Sequence, residues 1–257
     1  MTVTYMNGAG NDFMVIDARG QAPDFSALSL KLCKLYGADG FMAVDNSEVA
    51  DFRLHFYNAD GSRGEMCGNG ARCICRYAYD HGIAGENMTV QTDAGIVHGQ
   101  RLSETQYKVW LNLPGLVDLS RKGDIAYVEL GDPGVPHGVQ EIPNLTWEDK
   151  EALREQAKAL RYDPAFPKGA NINMYTWISE SVIRILTYER GVEDYTLACG
   201  TGSASTAVVL WMKGLVKDRL TVENPGGTLT VTLAAQQGTL TELTLEGPTE
   251  VVKILDY

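Results

Sequence analysis

The chain carries Met66-Cys67-Gly68-Asn69-Gly70-Ala71 and, further on, Ala198-Cys199-Gly200-Thr201-Gly202-Ser203. In both, a cysteine stands before two glycines separated by one residue, and a helix-like segment follows. The glycines strip away Cβ bulk, so backbone N–H groups there can approach a ligand closely. A helix that begins at such a place turns its unsatisfied first-turn N–H groups and the positive end of its dipole outward. A carboxylate or a thiolate suits that position.

The two stretches are copies in register. Val90 and Gly95 lie 23 and 28 residues beyond Cys67, and Val222 and Gly227 lie 23 and 28 beyond Cys199. Gly82 and Gly214, where the helical runs stop, each lie 15 beyond their cysteine. These coincidences point to an internal duplication with a period of 132 residues. Two copies facing each other would set two thiols on opposite sides of one cleft. Such a pair suits removal of a proton from one face of a carbon and delivery of a proton to the other.

A length of 257 residues allows one large domain or two of ordinary size, and the duplication favours two. A hydrophobic content of 44% supports a well-formed core. The net charge of −11 argues against nucleic acid and anionic membranes, both of which need a basic face. No apolar run approaches the roughly 20 residues that span a bilayer. Met1-Thr2-Val3-Thr4-Tyr5 has no basic segment leading into an apolar one, so no signal peptide is expected. Five cysteines are an odd number, and reduced thiols in a cytoplasm are the expected state.

Along the chain, Thr2 to Met6 and Phe13 to Asp17 read as strands around a tight loop, Asn7 to Asp12. Asp24 to Tyr36 reads as a helix capped by Asp24, with Leu28, Leu32 and Leu35 on one face and Cys33 as a small core residue. Phe41 to Val44 and Phe52 to Tyr57 are strands, Asn58 to Ser62 a turn, and Gly70 to Asp80 a helix that packs Cys73 and Cys75. Met88 to Thr92, Gly95 to Gln100 and Tyr107 to Leu113 are strands. Pro114-Gly115 marks the division between a first half, residues 1–114, and a second, 115–246.

In the second half, Ile125 to Leu130 is a strand and Gly131 to His137 a turn-rich loop. Thr146 with Asp149 forms a capping box before a surface helix, Trp147 to Arg161. Asn171 to Ser179 and Ile183 to Tyr188 are strands. Gly202 to Lys213 is a helix turning Ala204, Ala207, Val208 and Trp211 to a core, and strands follow to the end. The fold class is α/β (α+β), with a sheet wrapped round a central helix in each half.

Several chemistries are disfavoured. Neither Gly-x-Gly stretch completes a dinucleotide or phosphate-loop motif. Cys67, Cys73 and Cys75 lack the spacing of zinc ligands. No cofactor motif is present, so charge developing on a carbon has to be stabilised by the protein. Helix-end N–H groups aimed at a carboxylate would do this best in a water-excluded site. A helix N-terminus and a nearby histidine would favour one thiolate.

Met6-Asn7-Gly8-Ala9-Gly10-Asn11-Asp12-Phe13 resembles the opening of the diaminopimelate epimerases. So do Asn58 to Ser62, Cys67 to Arg72, Pro136-His137, Tyr188-Glu189-Arg190-Gly191, Ala198 to Gly202 and Gly247-Pro248, in order over nearly the whole chain. The resemblance implies two pseudo-symmetric, mostly antiparallel halves with the active site in the cleft between, and a C-terminal strand, 247–257, returning to the first half. It implies that Cys67 and Cys199 are the acid–base pair, with His137 beside Cys67 and Glu189 beside Cys199. Backbone amides of Gly68, Asn69, Gly200 and Thr201 would hold the α-carboxylate. Asn11, Asn58, Asn171 and Arg190 would grip the substrate, mostly at its far end.

The implied activity is an isomerase without pyridoxal phosphate that interconverts L,L- and meso-diaminopimelate for lysine and cell-wall synthesis. The chain departs from the family's usual pattern in two places. Val135 stands before Pro136 where an asparagine helps hold the distal carboxylate, and Tyr195 stands where a glutamate is common. Val135 keeps a second reading open, a racemase of another amino acid such as histidine. The Cys-Gly-His-Gly motif of the proline racemases is absent, Asn69 filling the histidine's place. A non-catalytic amino-acid binder on the same scaffold is a third reading. The expected partner is a small-molecule amino-acid substrate, with neither nucleic acid nor membrane, and a homodimer is compatible with the sequence.

Overall fold

In the computed structural model, residues 1–64 and 67–257 are described; Met66, at the head of the first Cys-Gly stretch, lies outside them. The chain divides into two compact units, Met1–Trp110 with Glu246–Tyr257, and Leu111–Leu245.

The first unit begins with a hairpin, β1 (Thr2–Gly8) and β2 (Asn11–Asp17). The expected loop at Asn7–Asp12 is shorter than its turn-rich sequence suggests. Only Ala9 and Gly10 connect the strands, both at positive φ, 54° and 91°. Two such residues match the right-handed twist of a tight hairpin, so strand pairing runs up to Gly8↔Asn11.

Helix α1 (Phe25–Tyr36) starts where Asp24 accepts the Ala27 N–H at 3.0 Å. It buries Ser29, Leu32 and Cys33, whereas Leu35 is 61% exposed. Leu35 misses the core because the helix lies across the sheet on its Ser29–Leu32–Cys33 edge, which meets Val3, Met14, Ile16 and Phe41. Asp24→Ala is expected to lower stability by about 1 kcal/mol through loss of the cap, read by urea denaturation.

Strand β3 (Gly40–Asp45) then runs parallel to β2, and β4 (Phe52–Asn58) returns antiparallel. The short β5 (Arg63–Gly64) leads to α2 (Gly68–Asp80), whose residues Gly68 to Cys75 are all buried. Strands β6 (Asn87–Thr92), β7 (Gly95–Arg101) and β8 (Gln106–Trp110) follow. β6 pairs parallel with β4, and the last strand of the chain, Glu250–Asp256, pairs antiparallel with β1.

The second unit repeats this plan. It opens with β9 (Pro114–Lys122), a strand not anticipated because Pro114-Gly115 reads as a breaker. Proline is tolerated there as the strand's first residue. β10 (Ile125–Gly131) and β11 (Gly134–Glu141) form the hairpin, with Asp132-Pro133 as its two-residue turn. His137 therefore sits on a strand rather than in the expected loop. Gly131, Pro133, Gly134 and Pro136 look like a long turn, but register at Gly131↔Gly134 confines the reversal to two residues.

The capping box forms, with Asp149 Oδ2 accepting from both the N–H and the Oγ1 of Thr146. A 3-10 turn, Trp147–Asp149, leads into α3 (Lys150–Arg161), a surface helix burying only Ala157 and Leu160. These meet Ile125, Tyr127, Ile172 and Leu186 on the sheet and Phe166 in the segment after the helix. β12 (Asn171–Ser179) runs parallel to β11, β13 (Val182–Glu189) returns, and β14 (Asp194–Thr196) leads to α4 (Gly200–Met212). β15 (Arg219–Asn224), β16 (Gly227–Gln236), β17 (Thr239–Pro248) and β18 (Glu250–Asp256) complete the chain.

The sequence repeat is thus a structural repeat. α2 and α4 have 13 residues each and start 132 residues apart, as do β6 and β15. Gly82 and Gly214 take left-handed φ of 65° and 72° just beyond the helix ends. Gly95 and Gly227 close matching hairpins against Thr92 and Asn224. Within each unit the helix that starts at the Cys-Gly stretch is the buried one. α4 was expected to turn one face to the core, but every residue from Gly202 to Leu210 is buried, leaving Trp211 at its edge. Its small residues allow this. Ser203 and Thr206 satisfy their hydroxyls on the carbonyls of Cys199 and Gly202, at 3.0 and 2.9 Å.

Candidate active site

Each unit presents one thiol at the N-cap of its buried helix. Cys67 caps α2 and Cys199 caps α4, both with extended backbone, φ/ψ −128°/124° and −116°/108°. The first-turn N–H groups at Gly68, Asn69, Gly200 and Thr201 have no carbonyl four residues back inside their helices. Beside either thiol there is thus a concentration of amide dipoles suited to a carboxylate.

In the first unit, Gly8 explains how β1 reaches the helix start. A Cβ there would lie 2.8 Å from Cys73 Sγ and 2.9 Å from the Asn69 carbonyl oxygen. This close approach brings Asn11 against the first turn of α2, where its Oδ1 accepts from Asn69 Nδ2 at 2.5 Å. Asn11 Nδ2 donates to Asp39 Oδ2 at 3.2 Å, and Asn69 Oδ1 accepts from Arg72 at 2.9 Å. Cys67, Gly68, Asn69 and Asn11 are therefore gathered. Asn58, at the end of β4, is exposed and donates to Ser62 Oγ within its own turn. Burial pushes the Cys73 and Cys75 thiols up to about 12, so both remain protonated packing residues.

In the second unit, Cys199 Sγ accepts the Gly202 N–H at 3.3 Å and lies 3.5 Å from Thr201 Oγ1. Asn173 joins this helix start to the strands. A Cβ on Gly202 would lie 2.2 Å from Asn173 Oδ1. That oxygen accepts from Thr187 Oγ1 at 3.0 Å, while Asn173 Nδ2 faces His137 Nδ1 at 3.2 Å and donates to the Gly138 carbonyl at 3.0 Å. Asn171, two residues away on β12, donates to the Pro136 carbonyl and accepts the Arg190 N–H at 2.8 Å. The Arg190 guanidinium is exposed and donates to the Lys168 carbonyl. Glu189 Oε2 accepts from Thr196 Oγ1 at 2.9 Å, three residues before Cys199. His137, Asn171, Glu189, Arg190, Gly200 and Thr201 thus lie in the same unit as Cys199.

Sequence reading missed Asn173; the signal for it was its place beside Asn171 on the same strand. Of the two departures, Val135 is 38% exposed on β11. Tyr195 packs edge-to-face on Tyr188, their centroids 5.5 Å apart, against the core under α3.

His137 is fully buried, and the structure changes its expected role. Burial first, and the Arg190 charge second, push its pKa down to about 3. The imidazole is neutral at neutral pH, so it brings no positive charge to a thiolate, and so low a value also makes it a weak proton acceptor. Its Nε2 is buried, with no hydrogen-bond partner among the described residues.

The same burial makes a prediction about acid stability. Between 6.5, the unfolded value, and about 3, the unfolded chain binds a proton that the native chain does not. The contribution is complete above the upper value and is lost as pH falls, at up to about 1.4 kcal/mol per pH unit. His137→Gln should remove that part of the acid slope, read as a smaller fall in urea midpoint than wild type between about pH 7 and about pH 5.

With both half-sites in view, the comparisons are specific. The diaminopimelate epimerase family model matches residues 3–111 and 131–252. The chain belongs to the diaminopimelate epimerase family. The family's enzyme from Aquifex aeolicus is 36% identical over 83% of this chain and 82% of its own length. That from Caldanaerobacter subterraneus subsp. tengcongensis is 34% identical over 90% and 91%. Among solved structures, a Bacillus anthracis phenazine biosynthesis protein of the PhzF family has a TM-score of 0.77 at 18% identity, covering 99% of this chain and 98% of that one. A hydroxyproline epimerase from Agrobacterium vitis has a TM-score of 0.68 at 16% identity, with 99% and 90% covered. These structural likenesses establish the fold. Among the described residues no helix is long and apolar enough to cross a membrane.

Proposed function

We propose that this chain is a diaminopimelate epimerase that inverts one α-carbon of L,L-diaminopimelate to give the meso isomer, using two cysteines and no cofactor. The observation that carries the reading is the matched pair of N-cap thiols, each set beside first-turn amides on its own buried helix. One thiolate removes the α-proton, and the thiol of the other unit delivers a proton to the opposite face. The residues 1–114 and 115–246, with 247–257 in the first half, act as the two working halves.

The α-hydrogen of an amino acid is very weakly acidic, so charge on the α-carbon needs strong stabilisation. The α-carboxylate receives that charge, and the amides of Gly68, Asn69, Gly200 and Thr201 hold it. His137 partners Cys67 as a neutral ring, and Glu189 partners Cys199 as a proton acceptor, so the two environments can balance when the roles exchange in the reverse direction. Asn11, Asn58, Asn171 and Arg190 bind the substrate, with Arg190 suited to a second carboxylate. The chemistry needs one chain, acting as monomer or homodimer. The reading places it in the cytoplasm, where the buried thiols Cys33, Cys73 and Cys75 stay reduced.

Val135 favours keeping an amino-acid racemase of other specificity as the competing reading. The test is a panel of single amino acids, including L,L-diaminopimelate and L-histidine, assayed for inversion without added cofactor. Turnover of L,L-diaminopimelate is expected. Turnover of L-histidine alone would overturn the substrate assignment, and no inversion of any member would favour a binder.

A further inference from the structure

The two cysteine helices match residue for residue in length and cap, but not in charge. Arg72 on α2 is 0% exposed. The position 132 residues on is Ala204, likewise 0% exposed on α4. Arg72 donates to the Gly68 carbonyl at 3.3 Å and to Asn69 Oδ1 at 2.9 Å, so its guanidinium lies under the first turn of its helix. Among the described residues its Nε is buried without a partner and no carboxylate pairs with it.

A buried cation without a counter-ion is costly, and proteins place one only against something that offsets it. Burial lowers the pKa of Arg72, and the ionisable groups that act to raise it are the thiols of Cys73, Cys67 and Cys75. Cys73 and Cys75 are held protonated by burial. Cys67 is half-buried at the N-cap, where the helix dipole also favours an anion. Helix α2 packs against β1, β2, β3, β7 and β8. From these, Asp12 on β2 acts on Cys73, while Tyr107 on β8 interacts with Asp80, Arg101 and Arg76 at the other end of the helix.

The second unit has the opposite bias. Register at Phe52↔Val90 and Ile183↔Val222 makes Glu189 the counterpart of Asn58. A carboxylate therefore stands where the first unit has a neutral amide, and a methyl stands where the first unit has a guanidinium.

We infer that Arg72 is a positioning residue that acts as fixed counter-charge to the Cys67 thiolate, so that the substrate-free protein keeps Cys67 ionised and its proton on Cys199. Arg72 also orients Asn69, and through it Asn11. The Gly202 N–H that donates to Cys199 Sγ and the Thr201 hydroxyl beside it order that thiol without supplying a full charge.

The inference rests on the two-thiol reading above, and its test needs no substrate. The full-length protein is alkylated with iodoacetamide from mildly acidic to alkaline pH, and the adduct at each cysteine is followed by mass spectrometry. Midpoints are compared rather than rates, because Cys199 is the more buried thiol. In wild type the Cys67 midpoint is expected below that of Cys199 and below the ordinary thiol value of about 8.5. Arg72→Met is expected to raise it, lowering Cys67 alkylation near neutral pH about tenfold or more, with the Cys199 midpoint unchanged. Arg72→Lys, which keeps the charge, is expected to restore most of the loss. An unshifted Cys67 midpoint in Arg72→Met, or equal shifts at both thiols, would overturn the inference. So would ionisation of Cys199 before Cys67 in wild type, a result that needs no variant to fold. Inversion without these shifts removes the role of Arg72 alone; these shifts without inversion remove the enzymatic reading alone.

Discussion

Cys67→Ala and Cys199→Ala will each lower inversion by about 10³-fold or more, in both directions. In a two-thiol mechanism every turnover uses one sulfur as base and the other as acid, so neither direction survives the loss of either. The two variants should differ in stability. Cys67 makes no side-chain cap bond to α2, whereas Cys199 Sγ accepts the Gly202 N–H. Only the second replacement therefore removes a helix cap, at about 1 kcal/mol. Serine keeps an acceptor at that cap but is far too weak an acid to work as the base, so Cys199→Ser should be stable and inactive. Chiral chromatography of the product and urea denaturation read the two effects separately. Near-normal turnover in either alanine variant would contradict the mechanism.

Gly202→Ala is expected to reduce inversion about 10²-fold and to destabilise the protein by about 1–3 kcal/mol. Helix propensity pulls the other way, favouring alanine by about 1 kcal/mol. Packing decides the sign. The new methyl would lie 2.2 Å from Asn173 Oδ1 and 3.2 Å from Cys199 Sγ. Asn173 cannot swing aside cheaply, because Thr187, His137 and Gly138 hold its amide. Moving it would strand buried polar groups and shift His137 together with the Cys199 turn. The matching change in the first unit, Gly70→Ala, meets Met42 Sδ at 3.2 Å and Phe13 at 3.5 Å, flexible or distant enough to yield. It should be close to neutral in a parallel urea denaturation. Equal damage from the two changes would show that the Asn173 contact is not the cause.

Much of this architecture was written in the spacing of a few residues. The Cys-Gly pairs, Gly82 with Gly214 and Gly95 with Gly227 mark helix starts, helix ends and hairpins, because each demands a conformation or an approach that a side chain would hinder. Asp24 and the Thr146–Asp149 box mark helix starts by satisfying orphan N–H groups. What stayed hidden depends on partners distant in sequence. Glycine and proline around His137 suggested a loop, because single-strand reading does not reveal that Gly131 faces Gly134 across a hairpin. Leu35 follows the helical period but lies beyond the edge of the sheet. The setting of Arg72 stayed hidden too, because nothing local reveals that α2 is buried along its first two turns. Asn173 drew no notice, since its role exists only where β11, β13 and the start of α4 converge on it.

The central claim is that two different thiols serve one α-carbon. It is tested most directly by running the reaction in D₂O from pure L,L-diaminopimelate and stopping it early. The account predicts deuterium at the inverted carbon of the meso product, while the remaining L,L substrate keeps its hydrogen. Deuterium entering the recovered L,L substrate as fast as product forms would mean that a single base returns the proton to the face it came from, and would contradict the account.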